Sequence, residues 1–236
     1  MSVIVRMVLA LAVGVVLSVG VARAQEATGP ATHDVQAWLL LVALIPIGEQ
    51  WTLQTEVQPR WKEDLSERHE AIVRGSVGRR LGRRATLWGG VATVARWTDG
   101  QRADDEQRVW QQLSTTFPNV GKWTPSIRIR VEQRFLDAWQ DSSHRLRTMA
   151  RLTRPLGASR WTAALWNEYF VTLDDTRGGP QQGFDQNRVM ATVIRPLGKR
   201  VTLESGYVWQ FVSSTATRAP RHGHTLFTWL TYTAGK

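Results

Sequence analysis

The chain has no cysteine among its 236 residues, so no disulfide supports its fold and attachment through a lipidated cysteine is excluded. Long apolar runs are also scarce. Beyond residue 24 the longest is Ala37 to Ile47, which Pro46 interrupts and which falls short of the roughly 17 to 25 residues of a spanning helix. An integral protein of this sequence must therefore cross as a closed sheet, since only helices and barrels satisfy every backbone group in lipid. HExxH and other metal spacings are missing, as are nucleic-acid motifs, and the sequence implies no cofactor.

The N-terminus fixes the expected compartment. Met1 to Arg6 carry one positive charge, Met7 to Val21 are almost wholly apolar, and Ala22-Arg23-Ala24 forms a small-x-small site before Gln25. Residues 1–24 read as a cleaved signal peptide; an uncleaved anchor is the alternative. Cleavage leaves residues 25–236, one domain's worth of chain, with a short polar segment at 25–34 and a barrel expected over 35–236. Of the 30 basic residues, Arg6 and Arg23 leave with the signal, so 28 face 20 acids and the net charge falls from +10 to +8. Nucleic acid is an improbable partner for an exported chain whose arginines are spread over many segments.

Ile127 to Phe135 read Ile-Arg-Ile-Arg-Val-Glu-Gln-Arg-Phe, an alternation that puts the charges on one face of a strand and most apolar side chains on the other. Most later segments repeat it. Glycines at 48, 82, 121, 157 and 198 punctuate the chain at intervals of 34, 39, 36 and 41 residues. Three of them share a phrase: Arg80-Leu81-Gly82-Arg83, Arg154-Pro155-Leu156-Gly157 and Arg195-Pro196-Leu197-Gly198. Glycine and proline of this kind mark short turns. Longer polar connections are expected at Lys62 to Arg68, Thr98 to Asp104, Asp137 to Ser142, Asp174 to Asp185 and Ser213 to Arg221. Eleven candidate strands lie between these breaks, but bacterial single-chain barrels use even numbers. The expected fold is an all-β, up-and-down antiparallel transmembrane barrel of twelve strands, with ten as the alternative.

The alternation assigns faces. Arg74, Arg108, Arg128, Arg130, Glu132, Arg134, Arg145, Arg147, Arg151, Glu168, Arg188 and Glu204 are expected to line the lumen, with Glu56, Glu70 and Glu106 among their counter-charges. Glu132 cannot by itself neutralise the six arginines of the sixth and seventh strands, so Glu106 and Glu168 are its expected helpers. Twelve tryptophans occur. Trp51, Trp61, Trp97, Trp123, Trp161 and Trp209 stand on the other face near strand ends, where indoles form girdles at the lipid–water boundary. The competing reading is a soluble β-sandwich or lipocalin-like barrel with core tryptophans. Leu39 to Leu44 is apolar on both faces, so its inward residues should pack against a neighbour or plug.

The phrases Glu106-Gln107-Arg108-Val109-Trp110-Gln111-Gln112, Arg128 to Arg134, Asn167-Glu168-Tyr169-Phe170, Asn187-Arg188 and Glu204-Ser205-Gly206-Tyr207, with a closing His224-Thr225-Leu226 strand, resemble the bacterial outer-membrane β-barrel family known as domain of unknown function 2490. The resemblance implies location in the Gram-negative outer membrane, and hence lipid, lipopolysaccharide and the barrel-assembly machinery as partners; it implies no substrate. Such barrels usually end on an aromatic residue, whereas this chain ends Tyr232-Thr233-Ala234-Gly235-Lys236.

Two functions of different class follow. One is a small porin-like pore or transporter for polar or anionic solutes; the other is a non-conducting structural or adhesive barrel in which Arg–Glu pairs fill the lumen. A third, weaker reading is a hydrolase using His144 with Ser142 or Ser143, or Asp104, Asp105, Asp174 and Asp175 with His222. No nucleophile–base constellation is recognisable, so an enzyme is not expected. His222 and His224 alternate across Gly223 and could share a strand face as a metal pair, but two ligands lack a third.

Overall fold

The computed structural model describes residues 31–136, 139, 141–214 and 219–235. Residues 1–24, expected to be a signal peptide, and the segment through residue 30 lie outside the described residues. Eleven strands follow one another: β1 (Thr32–Ile47), β2 (Trp51–Lys62), β3 (Glu67–Leu81), β4 (Ala85–Thr98), β5 (Gln101–Thr116), β6 (Thr124–Leu136), β7 (Ser143–Pro155), β8 (Thr162–Thr172), β9 (Gly183–Pro196), β10 (Val201–Val212) and β11 (Arg221–Thr233). Thr32 to Asp34, read as part of a polar lead-in, already belong to β1.

The strands close into a barrel in chain order. The expectation of twelve strands, or ten, is corrected to eleven among the described residues. Every neighbouring pair is antiparallel except the closing one, in which β1 runs parallel to β11 from Thr32↔Arg221 to Leu44↔Thr233. The parity explains this. An odd number of up-and-down strands leaves the first and last pointing the same way, so they can close only in parallel and the chain ends lie at opposite ends of the barrel.

One end carries the connections 48–50, 82–84, 117–123, 156–161 and 197–200, and is called here the turn end; the other, the loop end, carries 63–66, 99–100, 137–142, 173–182 and 213–220. Two expected long connections are in fact tight. Asp99 and Gly100 both have positive φ, at 52° and 73°, which closes a two-residue hairpin of the type Asp-Gly favours. Lys62 to Arg68 shrinks to residues 63–66, because β2 and β3 extend into it.

Each strand presents at least one exposed large apolar side chain outward: Leu41, Val57, Val73, Val91, Val109, Ile129, Leu152, Leu165, Val189, Tyr207 and Leu226, from β1 to β11 in order. The opposite face of the same strands is buried and points into the barrel. Its charged part reaches from the loop end past mid-barrel, as far as Arg128, Arg151 and Glu204. From mid-barrel toward the turn end, Trp38, Leu40 and Val42 of β1 pack with Phe227, Val208, Met190, Trp166, Ala164 and Met149. Across the lumen, Trp88 lies against Gly78 and Trp110 against Gly90; a Cβ at either glycine would stand 2.6 or 2.5 Å from the ring. Glycine here makes room for indole inside a narrow barrel.

Candidate functional site: the arginine-lined lumen

Strand alternation carries the site. Arg60, Arg74, Arg96, Arg108, Arg128, Arg130, Arg134, Arg145, Arg147, Arg151 and Arg188 lie on the inward face, and so do Glu56, Glu70, Glu106, Glu132, Glu168 and Glu204, so eleven arginines face six glutamates. All twelve residues read from the sequence as lumen-lining stand on this face. They do not form one uniform lining. A cavity of about 1190 Å³ lies toward the loop end, and Arg74, Arg108, Arg134, Arg145, Arg147 and Arg188 border it, with Arg60, Arg96, Glu70, Asp104 and Asp185. Arg128, Arg130, Glu132, Arg151, Glu168 and Glu204 do not border it; they lie in the packed network behind and below.

Every inward glutamate is ion-paired, and Glu70, Glu106, Glu132 and Glu168 are shared between arginines. Glu106 accepts from Arg108 Nε at 2.7 Å and from Arg134 Nε at 2.5 Å, and also pairs with Arg96. Glu132 accepts from Arg145 Nη2 at 2.6 Å and Arg147 Nη1 at 2.7 Å. Glu168 accepts from Arg128 Nη2 at 2.6 Å and Arg147 Nη2 at 2.7 Å. Glu204 pairs with Arg151, Glu70 with Arg60, and Glu56 with Arg74. One carboxylate between two guanidiniums offsets the repulsion that alternating arginine rows on adjacent strands would otherwise meet.

Aromatic rings take up part of the remaining charge. Arg130 stands 4.0 Å from the Trp110 ring centroid, Arg151 4.8 Å from Trp166, Arg147 4.6 Å from Phe170, and Arg60 4.4 Å from Trp38. These are cation–π distances, favoured where water is excluded. The inward tryptophans Trp38, Trp88, Trp110, Trp166 and Trp229 escaped the sequence reading, which weighed the strand-end indoles. Their even-numbered or in-phase positions on β4, β5 and β8 were the available signal.

The six strand-end tryptophans divide between the two rims. Trp51, Trp123 and Trp161 stand at the turn end, and Arg79, Arg154 and Arg195 lie over their rings at 5.5, 5.6 and 5.0 Å. Trp61, Trp97 and Trp209 stand near the loop end; Arg68 lies over Trp97 at 5.1 Å, and Trp209 stacks on Phe211 and His222. The rims also differ in charge. Arg79, Arg80, Arg83, Arg84, Lys122, Arg154, Arg160, Arg195, Lys199 and Arg200 surround the turn end, where Glu49 is the acid of its connections. Acids such as Glu63, Asp64, Asp99, Asp105, Asp141, Asp174 and Asp175 gather at the loop end.

Of the groups named for a hydrolase, His144 and Asp174 come together. His144 Nδ1 lies 2.5 Å from Asp174 Oδ2, and the His144 backbone N–H donates to Asp174 Oδ1 at 2.9 Å. Partial burial would raise the Asp174 carboxyl, but these bonds outweigh it and hold the group below its ordinary range. Ser143 faces the interior, fully buried, on the opposite side of the strand from the imidazole. Asp104 pairs with Arg96, Asp105 with Arg102, and Asp175 accepts from the Gln182 backbone N–H. His222 and His224 do meet a third histidine, His33 of β1: its Nδ1 lies 3.2 Å from His224 Nε2 and its ring stacks on His222 at 5.0 Å. Tyr207 Oη completes this outward cluster at 2.6 Å from His224 Nδ1. Among the described residues no group of three or more metal-ligating side chains is arranged to hold an ion.

Comparison with known proteins assigns a family and adds no activity. An uncharacterized protein of Methylorubrum extorquens is 30% identical over 199 residues, covering 83% of this chain and 86% of its own. No solved structure gives a significant match. Residues 35–220 match the family described as Protein of unknown function (DUF2490), and the chain belongs to that family.

Proposed function

We propose that the protein is an outer-membrane β-barrel whose interior is a basic cup, open at the loop end, that accepts small anionic or polar solutes. The observation that carries the reading is the division of the sheet into two faces. The outer one exposes large apolar side chains on all eleven strands, as a lipid-facing wall requires, while the inner one holds buried arginine, glutamate and glutamine, which only a hydrated or ion-paired interior tolerates. The strand-end indoles match the boundary layers of a bilayer. Arginines over the turn-end tryptophans place guanidinium groups where the phosphates of membrane lipid would meet them. Export with cleavage after Ala24, and insertion by the barrel-assembly machinery, belong to the same reading.

The excess of arginine over glutamate around the cavity favours anions. The packed tryptophan, methionine and valine side chains toward the turn end favour a cup whose floor is closed at rest over a freely open pore. A second reading, a non-conducting structural barrel, is favoured by one specific observation: every inward glutamate is already ion-paired. Neither reading asks for catalysis.

Cell fractionation tests the location. A mature chain beginning at Gln25 should sediment with the outer membrane and resist carbonate extraction. Its recovery as a soluble periplasmic monomer would overturn the reading.

A further inference from the structure

The inward arginines are not equally satisfied, and Arg188 is the least so. Arg147 donates three hydrogen bonds to two glutamates, at 2.7, 2.7 and 3.2 Å. Arg188 of β9 is as deeply buried, 7% exposed, and is the deepest β9 residue bordering the cavity. Yet its hydrogen bonding reduces to one long contact, Nη2 to Gln186 Oε1 at 3.4 Å. Glu168 Oε2 stands 3.7 Å from its Nη1, beyond hydrogen-bond range, and its Nε has no partner. Glu168 is moreover engaged by Arg128 and Arg147. The guanidinium is fixed by rings instead, 4.7 Å from both the Trp38 and the Phe170 centroids.

A second guanidinium shares that indole. Arg60 lies 4.4 Å from the Trp38 centroid, and its Nε is also unpartnered. Two cations on one ring repel in a medium that screens them poorly, and buried donors without acceptors cost free energy. An oxyanion between them would offset both costs, and its planar or tetrahedral oxygens suit the fork of a guanidinium.

We infer that Arg188 and Arg60, held on Trp38 beside the lumen cavity, form a subsite for the carboxylate or phosphate group of a small polar solute. The inference rests on the reading of the lumen as a solute-accepting cup and names the chemistry that anchors the solute. Gln186 and Gln210, hydrogen-bonded to each other at the same level, are neutral groups suited to hydroxyls on the ligand. The cavity of about 1190 Å³ admits a molecule the size of a sugar acid or sugar phosphate.

Calorimetry on the refolded protein in detergent, with folding verified by heat-modifiable gel mobility, tests this with gluconate, glucose 6-phosphate and glucose at one ionic strength. At least one of the two anions should bind and glucose should not; which anion binds identifies the headgroup chemistry. Arg188→Gln should weaken binding at least tenfold, while Arg79→Gln, on the outer face, should leave it unchanged. Equal binding by wild type and Arg188→Gln would overturn the subsite and leave the cup standing. Binding of neither anion by wild type would overturn the cup and the subsite with it. Should Arg188→Gln fail to fold, phenylglyoxal modification of wild type read by mass spectrometry decides the matter: saturating anion should protect Arg188, and undiminished modification would overturn the assignment.

Discussion

Ile129 and Arg130 are consecutive residues on β6, one exposed on the outer face and the other buried inside. Arg130 donates from Nε to Gln112 at 2.8 Å and lies over Trp110, whereas Ile129 is 44% exposed. In a bilayer their tolerances differ accordingly. Ile129→Arg should lower folding into lipid by about 2–4 kcal/mol, the cost of arginine on a lipid face near the midplane, and Arg130→Gln should still fold, as read by heat-modifiable mobility and urea unfolding in vesicles. Equal tolerance of both changes would contradict the assignment of these faces. These faces were legible because alternation is a local property of the chain. Glu106, Glu132 and Glu168 were legible as counter-charges of the β6 and β7 arginines, but the individual pairings were not, since Glu168 reaches Arg128 across 40 residues and only barrel closure brings His33 beside His224. At the loop rim, Asp174 is held below the ordinary carboxyl range by His144, so it stabilises the fold above the unfolded carboxyl range, near pH 4, and that contribution is lost as pH falls through its lower folded value. Asp174→Asn should therefore destabilise at pH 6 and have less effect at pH 3, measured by urea unfolding at both values.

The elements show why the sequence placed strands well and counted them badly. All eleven candidate segments coincide with strands, because each carries its own two-residue period between glycine or proline breaks. The even count came from a rule about how barrels close, and closure is a property that no single strand carries; the parallel β1–β11 seam satisfies it with an odd number. Connection lengths failed for a local reason, since Asp99-Gly100 is a two-residue hairpin signal hidden inside a polar stretch. The β2–β3 turn offers a direct test of local strain. Glu63, Asp64 and Leu65 all adopt positive φ, at 51°, 53° and 71°, a conformation that costs an L-residue about 1–2 kcal/mol. Ser66 N–H to Glu63 O at 3.0 Å and Glu63 N–H to Asp34 Oδ1 at 2.8 Å hold it. Leu65→Gly should relieve more strain than it adds in unfolded-chain entropy, raising stability by about 0.5–1 kcal/mol in urea unfolding; a loss of similar size would show that Leu65 contributes packing that outweighs its backbone.

Across the whole molecule, charge is sorted along the barrel axis, with cations at the turn end, acids at the loop rim and arginine between them. No window of sequence displays this, because the ten turn-end cations come from separate connections and strand ends that assemble only when the barrel closes. The same holds for the division of the lumen into a charged cavity and a packed aromatic layer. With the longest connections at the loop end, that end is expected to face outward, and the natural absence of cysteine makes the test clean. Gln181→Cys should react with a membrane-impermeant maleimide on intact cells, and Gly82→Cys only after the outer membrane is opened; the reverse pattern would invert the orientation. The most direct measurement of the central claim is planar-bilayer recording of the protein after insertion. Wild type should stay silent at high occupancy, and Trp38→Ala with Trp166→Ala, which thins the packed layer, should produce anion-selective steps. Steady conductance from wild type would contradict a cup with a closed floor.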